Sequence, residues 1–311
     1  MSALAEALRD YLSMRRALGF KLDRTGQLLD QFVAYADQAG ADHVTAELAL
    51  AWATQPAGAD PSWHGARLSA VRGFARHLCA LDPATQVPPP DVLPQRSRRR
   101  VPYLYSEAEI AALLAAARGL RSPLRAATYT TLIGLLAATG MRVGEAIALD
   151  SDDVDLHDGL IVVRHSKFGK SRQLPLHPTT IRALSDYAAT RERLCPAPRT
   201  SAWLVSTTGT RLIYNNVHEV FHRLTEQVGL RPPSPRCRPR PHDLRHAFAV
   251  TTLLGWYRDG GDVAARLPLL STYLGHARPG DTYWYLSAAP ELLAEAARRL
   301  ERNPAEDGDQ R

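Results

Sequence analysis

A run of prolines decides the gross architecture of this 311-residue chain. Pro83, Pro88, Pro89, Pro90, Pro94 and Pro102 fall between residues 82 and 102, interleaved with Arg96, Arg98, Arg99 and Arg100. Proline fixes φ and offers no N–H, so neither a helix nor a central strand crosses such a stretch. It reads as an extended basic linker, which forces at least two separate bodies. The predicted division is 1–85, a linker over 86–102, and 103–311. The length agrees, at a prior of about 150 residues per domain.

The first body shows only helical periodicity. Leu4, Leu8, Tyr11 and Leu12 share one face, and Gly19 closes that helix. Leu28, Leu29, Phe32, Val33 and Tyr35 mark a second helix, residues 45–55 a third. Pro61 opens a fourth, with Leu68, Val71, Phe74, Ala75 and Leu78 at helical spacing. The second body opens on Ser106-Glu107-Ala108-Glu109, a capping box ahead of an Ala/Leu-rich helix. A helix over 123–138 follows, then Gly140-Met141-Arg142-Val143-Gly144-Glu145 and a helix through Leu149. Gly159–Val163 and Arg172–Leu176 read as a hairpin whose turn is His165–Ser171. Helices return at 178–193, 214–229, 242–257 and 290–301. The predicted fold class is mainly α with a small β-sheet (α+β).

Composition excludes several classes. No apolar run approaches the ~18 residues of a membrane span. Glu6 and Asp10 stand where a signal peptide would be apolar, so the predicted location is cytoplasmic. Cys79, Cys195 and Cys237 are too few and too scattered for a disulfide framework or a zinc knuckle. The net charge of +6 is unevenly spread: residues 157–245 hold 15 basic and 6 acidic residues, while 246–300 balance at 5 and 5. A concentrated excess suits a polyanion-binding surface, and a solvated face would look the same.

Four clusters carry potential chemistry. Arg142 stands at a helix start with Glu145 three residues on. Lys167 lies in the turn HSKFGKSR, where two of the chain's three lysines fall. His242-Asp243-Leu244-Arg245-His246 opens a helix after the basic run RPPSPRCRPRP. Leu274-Gly275-His276 precedes Tyr285 by nine residues. Two arginines on separate helix starts can grip a phosphate, histidines can donate or shuttle protons, a lysine can protonate a leaving oxygen, and a tyrosine can attack phosphorus. Together they suit phosphoryl transfer through a covalent intermediate, the guanidinium groups supplying the charge a metal supplies elsewhere.

Each piece alone has a plainer reading. Arg142 and Glu145 make an ordinary i,i+3 ion pair. His242 and His246 have the i,i+4 spacing of a zinc helix, but Asp243 stands where a metalloprotease glutamate would be and no third ligand is evident. His246 reads as structural, His276 as a helix-cap residue, and Tyr273, Tyr283, Trp284 and Tyr285 as an aromatic core cluster. Tyr283 and Tyr285 point to opposite sides of a helix, so one of them at most faces a site.

The order GMRVGE, turn lysine, HDLRH, LGH and tyrosine resembles the tyrosine recombinases, the phage-integrase-type site-specific recombinases, from about Tyr103 to about Leu300. The helical body 1–85 resembles, more weakly, their DNA-binding core-binding domain. The resemblance implies that Arg142 and Arg245 bind the scissile phosphate, that Glu145 orients Arg142, and that Lys167 is the general acid for the 5′-hydroxyl. It makes His242 and His276 the two site histidines and Tyr285 the nucleophile that forms a 3′-phosphotyrosyl link. Spacing from His276 selects Tyr285 over Tyr283; Lys170 is the alternative to Lys167. The resemblance further implies a double-stranded DNA partner with specific sites, a homotetramer on DNA, a Holliday junction, strand exchange without metal or cofactor, and accessory DNA-bending or directionality proteins. It also makes the helix at 290–301 a docking element for a neighbouring copy. A type IB topoisomerase-like relaxase and a catalytically inactive DNA-binding regulator are the alternatives. Two departures from the family pattern stand out: the long stretch Gly255–Ser271, and LSAAPELL after Tyr285, where many relatives have a histidine.

Overall fold

The computed structural model describes residues 2–55, 57–94, 101–164, 171–232, 234, 237–276, 278, 280–288, 292, 295 and 298. The chain divides into two compact units, Met1–Arg100 and Val101–Arg311. Among the described residues no helix is long and apolar enough to cross a membrane.

The first unit is a bundle of α1 (Ala3–Ala17), α2 (Asp23–Gln38), α3 (Ala46–Thr54) and α4 (Pro61–Leu78). Side chains of Ser2, Thr45 and Asp60 cap α1, α3 and α4, accepting from backbone N–H groups left free at each helix start. The predicted apolar faces meet in one core in which Leu29, Phe32, Trp52, Leu68 and Phe74 are fully buried. The first half of the proline-rich stretch is strapped onto this bundle. Gln86 donates its N–H to Val44 O at 2.7 Å, and the Arg72 guanidinium donates to the carbonyls of Pro88 and Pro89 at 2.8 and 2.7 Å. Residues 95–100 of the predicted linker lie outside the described residues.

The second unit is mostly helical around one small sheet. Its helices are α5 (Glu107–Arg118), α6 (Pro123–Thr139), α7 (Val143–Ala148), α8 (Pro178–Leu194), α9 (Tyr214–Gln227), α10 (Asp243–Arg258), α11 (Val263–Leu274) and α12 (Gly280–Ala288). The capping box at Ser106 and Glu109 forms as read, with both reciprocal bonds made. Strands β1 (Val154–Asp155), β2 (Leu160–Val163) and β3 (Arg172–Pro175) pair antiparallel in the order β1-β2-β3, with Ile161 opposite Leu174 and Val163 opposite Arg172. Ile161, Val163 and Leu174 enter a core with Leu132, Ile133, Leu136, Phe221 and Leu244. A second cluster joins Ala249, Leu253, Leu267, Leu270 and Leu274 to Tyr285.

The long stretch Gly255–Ser271 becomes the end of α10, a turn, and most of α11, a helix the periodicity did not announce. Gly260-Gly261 and Pro268 disguise it: the proline sits inside the helix, where its missing N–H ordinarily breaks the pattern. The predicted helix at 290–301 falls mostly outside the described residues.

Candidate active site

Two left-handed glycines set the frame. Gly140 ends α6 at φ +61°, and a Cβ there would overlap the Phe248 ring. Gly275 ends α11 at φ +67°, and a Cβ there would lie 2.9 Å from Arg172 Nη1. Side chains rarely tolerate such φ, so glycine is needed at both turns. Each turn exposes a carbonyl that receives an arginine.

Arg142 follows the first turn and begins α7. Its Nη1 donates to Glu145 Oε1 at 2.7 Å, its Nη2 to Gly275 O at 3.1 Å, and its own N–H to Glu145 Oε2 at 2.9 Å. The plain i,i+3 ion pair therefore exists, but it is one part of a larger assembly. Arg245, on the first turn of α10, is 2% exposed, with Nη1 donating to Gly140 O at 2.9 Å and Nη2 to Leu274 O at 2.7 Å. The two guanidinium groups are thus tied to the same pair of turns. Burial, then repulsion from Arg142, lowers Arg245 to about 10.

The histidines close around a phenol. His276 follows the second turn and pairs through Nδ1 with Thr282 Oγ1 at 2.7 Å; its ring stacks on Tyr285 at 5.9 Å between centroids. His246 lies edge-on to Tyr285 at 5.4 Å, to Trp284 at 5.2 Å and to His242 at 5.0 Å. Its Nδ1 is buried with no hydrogen-bond partner among the described residues. Burial is the main cause that lowers all three. His242 falls to about 4 and His276 to about 4, both with help from Arg245 and Arg142, and His246 falls to about 3. All three rings are neutral at pH 7. Tyr285 is 2% exposed; burial raises its pKa while the hydrogen-bonded Arg245 guanidinium pulls it back. Tyr283 faces outward at 53% exposure.

Of the six residues picked out in the sequence, five come together: Arg142, His242, Arg245, His276 and Tyr285. Lys167, like Lys170, lies outside the described residues. Among the described residues no three His, Cys, Asp or Glu side chains gather as a metal ion would require, and the His242–His246 pair has no third ligand there.

One participant escaped the sequence reading. Arg172 appeared there only as the start of a strand. It donates through Nη2 to Glu145 Oε2 at 2.7 Å and through Nη1 to Oε1 at 3.1 Å. Burial would raise the Glu145 carboxyl, but the bonds from Arg172 and then Arg142 hold it down to about 2. A signal was present: Arg172 and Leu174 alternate along β3, so the core-facing side of the strand carries a charge that must find a partner.

The arrangement offers a pair of turns that hold two guanidinium groups, a shared carboxylate, neutral imidazoles and a phenol against a guanidinium. Comparisons with known proteins point the same way. Residues 104–291 match the model of the phage integrase family. The chain is 46% identical over 308 residues to a Sinorhizobium fredii protein named "Putative integrase/recombinase y4rB", covering 97% of this chain and 98% of that one. It is 31% identical over 240 residues to the tyrosine recombinase XerD of Caulobacter vibrioides, covering 76% and 74%. In fold it resembles the Tn1549 transposon integrase solved with transposon right-end DNA, with TM-score 0.66, 18% identity, and 96% and 99% coverage. The XerA recombinase gives TM-score 0.52 at 24% identity, with 95% and 97% coverage.

Proposed function

The chain belongs to the phage integrase family, as a tyrosine recombinase, and from that premise we propose that it cuts and rejoins specific DNA sites through a 3′-phosphotyrosyl intermediate. The observation that carries the proposal is the meeting of buried Tyr285 with buried Arg245, beside the partly exposed Arg142, His242 and His276. Tyr285 Oη attacks the scissile phosphorus; the new O–P bond forms as the bond to the 5′-oxygen breaks. Arg142 and Arg245 neutralise the non-bridging oxygens, and such preorganised charge is worth about 10²–10³ per donor. The phenolic proton passes to a neutral imidazole, and two of these, His246 and His276, lie against the ring. Lys167 gives its proton to the departing 5′-oxygen, which is a poor leaving group without it. An incoming phosphate also raises the depressed histidines, because a nearby anion favours their charged form.

Reversal of the step by a different 5′-hydroxyl exchanges strands through a Holliday junction without ATP, metal or cofactor, since bond energy is held in the phosphotyrosine. In this reading 1–85 is the DNA-binding core-binding domain, 103–311 the catalytic domain, and four copies assemble on two duplex sites. The site of action is the cytoplasm. The basic excess over 157–245 then serves the DNA backbone.

The test uses a nicked duplex that traps the covalent adduct, in excess EDTA. The wild-type chain and Tyr283→Phe should form adduct, and Tyr285→Phe should form none while still binding DNA. Adduct in Tyr285→Phe, or cleavage only after Mg²⁺ is restored, would overturn the mechanism. Recombination of paired sites, rather than relaxation of a one-site plasmid, separates a recombinase from a topoisomerase-like relaxase.

A further inference from the structure

Two guanidinium groups share the Glu145 carboxylate, and the mechanism above uses only one of them. Arg172 opens β3, its side chain only 10% exposed, and Glu145 is 8% exposed. Arg172 engages both carboxylate oxygens, at 2.7 and 3.1 Å, and Glu145 Oε1 also accepts from Arg142 Nη1 at 2.7 Å. The third edge of Arg172 is used as well: Nε donates to Tyr273 O at 2.8 Å. A Cβ on Gly275 would crowd its guanidinium, at 2.9 Å from Nη1. One flat group thus joins the strand after the hairpin, the carboxylate behind Arg142 and the turn that carries His276.

We infer that Arg172 is a positioning residue for phosphate binding: it fixes the plane of Glu145, and through Glu145 the guanidinium of Arg142. The inference rests on the proposed role of Arg142. Arg142 already holds Oε1 through Nη1 and Oε2 through its own N–H; the Arg172 fork adds a second bond to each oxygen from a different element, β3, so the carboxylate plane is set by the strand as well as by α7. Arg142, 27% exposed and so partly free toward solvent, is then turned by the oxygen it shares. The charge balance fits too. Two guanidinium groups against one carboxylate leave a net positive charge at Arg142, where an anion is to bind. A lysine would restore the charge of Arg172 but not the function, because an ammonium is a point donor and cannot span two carboxylate oxygens and a carbonyl in one plane.

The experiment measures single-turnover adduct formation on the nicked duplex by wild type, Arg172→Lys and Arg172→Ala. Each is run on an ordinary scissile phosphate and on a neutral methylphosphonate at the same position. A misplaced catalytic group costs about 100-fold, so both variants should be slowed by about that factor on phosphate. On methylphosphonate, where no anionic oxygen needs Arg142 at full strength, both should fall within about 10-fold of wild type (about 1.4 kcal/mol). An unchanged melting temperature of Arg172→Lys confirms that the fold is intact. Wild-type rates on phosphate for Arg172→Lys, or an equal deficit on both substrates, would overturn the inference. If wild type itself gives no Tyr285-dependent adduct on phosphate, the catalytic reading falls instead.

Discussion

Both units of the molecule bury arginines, and they do so to different ends. In the helical unit, Arg67 lies 3.7 Å over the Trp52 ring and donates to Trp52 O at 2.7 Å, while Arg72 holds the carbonyls of Pro88 and Pro89. These contacts fasten α4 to α3 and strap the proline-rich segment down. In the second unit, Arg245 also donates to two carbonyls, Gly140 and Leu274, but its charge faces a phenol, a second guanidinium and three histidines. Main-chain carbonyls satisfy a buried guanidinium's hydrogen bonds without cancelling its charge. Whether that charge is architecture or chemistry depends on what else faces it. Around Arg67 it meets an indole; around Arg245 it meets the groups that can move a proton.

The sharpest way to break this distinction is to truncate one arginine of each kind. Arg245→Ala should lower the adduct-forming rate per folded molecule by about 10²–10³, the usual cost of removing one preorganised donor from a developing charge. Arg67→Ala should leave that rate within about 3-fold of wild type and instead destabilise its own unit. Losing a buried charged hydrogen bond, together with the guanidinium's place over the Trp52 ring, costs about 1–3 kcal/mol. Single-turnover rates at saturating DNA, with a thermal melt of each variant, make the comparison. Equal losses of rate would merge the two classes.

Acid separates the units next. An ordinary histidine titrates near 6.5. Folded His242 and His276 sit at about 4 and His246 at about 3. Between pH 6.5 and 4 the unfolded chain therefore binds protons that the folded chain refuses. Stability is complete above about 6.5 and is lost as pH falls toward 4, by up to about 1.4 kcal/mol per pH unit for each histidine. Hydrogen exchange between pH 7 and 5, corrected for its intrinsic pH dependence, should show α10 and α12 losing protection well before α1–α4. His246→Phe should remove one histidine's share of that slope. At pH 7 it should cost little, because it also removes a buried nitrogen that has no partner among the described residues. Protection lost equally in both units would contradict the assignment.

Much of this was legible in the chain, and the illegible parts share a cause. The capping box at Ser106, Pro61 at the start of α4 and the hairpin are local patterns, and they formed where the spacing put them. The site motifs were legible because each combines a turn glycine or helix start with a charged side chain. Tyr285 and Tyr283 could be ordered only by the spacing to His276; the structure places one at 2% and the other at 53% exposure. Arg172 and α11 were missed for tertiary reasons. The Arg172 partner lies 27 residues away, and α11 forms around Pro268 because Leu267, Leu270 and Leu274 bury against Ala249 and Leu253. Packing of that kind overrides local propensity.

The smallest expected effect tests the architectural side of the comparison at its weakest point. Pro88 and Pro89 offer no N–H, so beyond Gln86 it is their carbonyls that can hydrogen-bond the segment to the bundle. Arg72, itself buried, donates to both. Arg72→Met keeps the apolar stem of the side chain and loses both bonds. It should lower the stability of the helical unit by about 1–3 kcal/mol and open residues 86–94 to proteolysis. Adduct formation per folded molecule at saturating DNA should remain near wild type, because nothing that neutralises the phosphate or moves a proton has changed. If Arg72→Met instead stays resistant to protease and loses adduct on the scale of Arg245→Ala, then a guanidinium satisfied by carbonyls alone is doing chemistry, and burial against an inert partner is not what separates the two units.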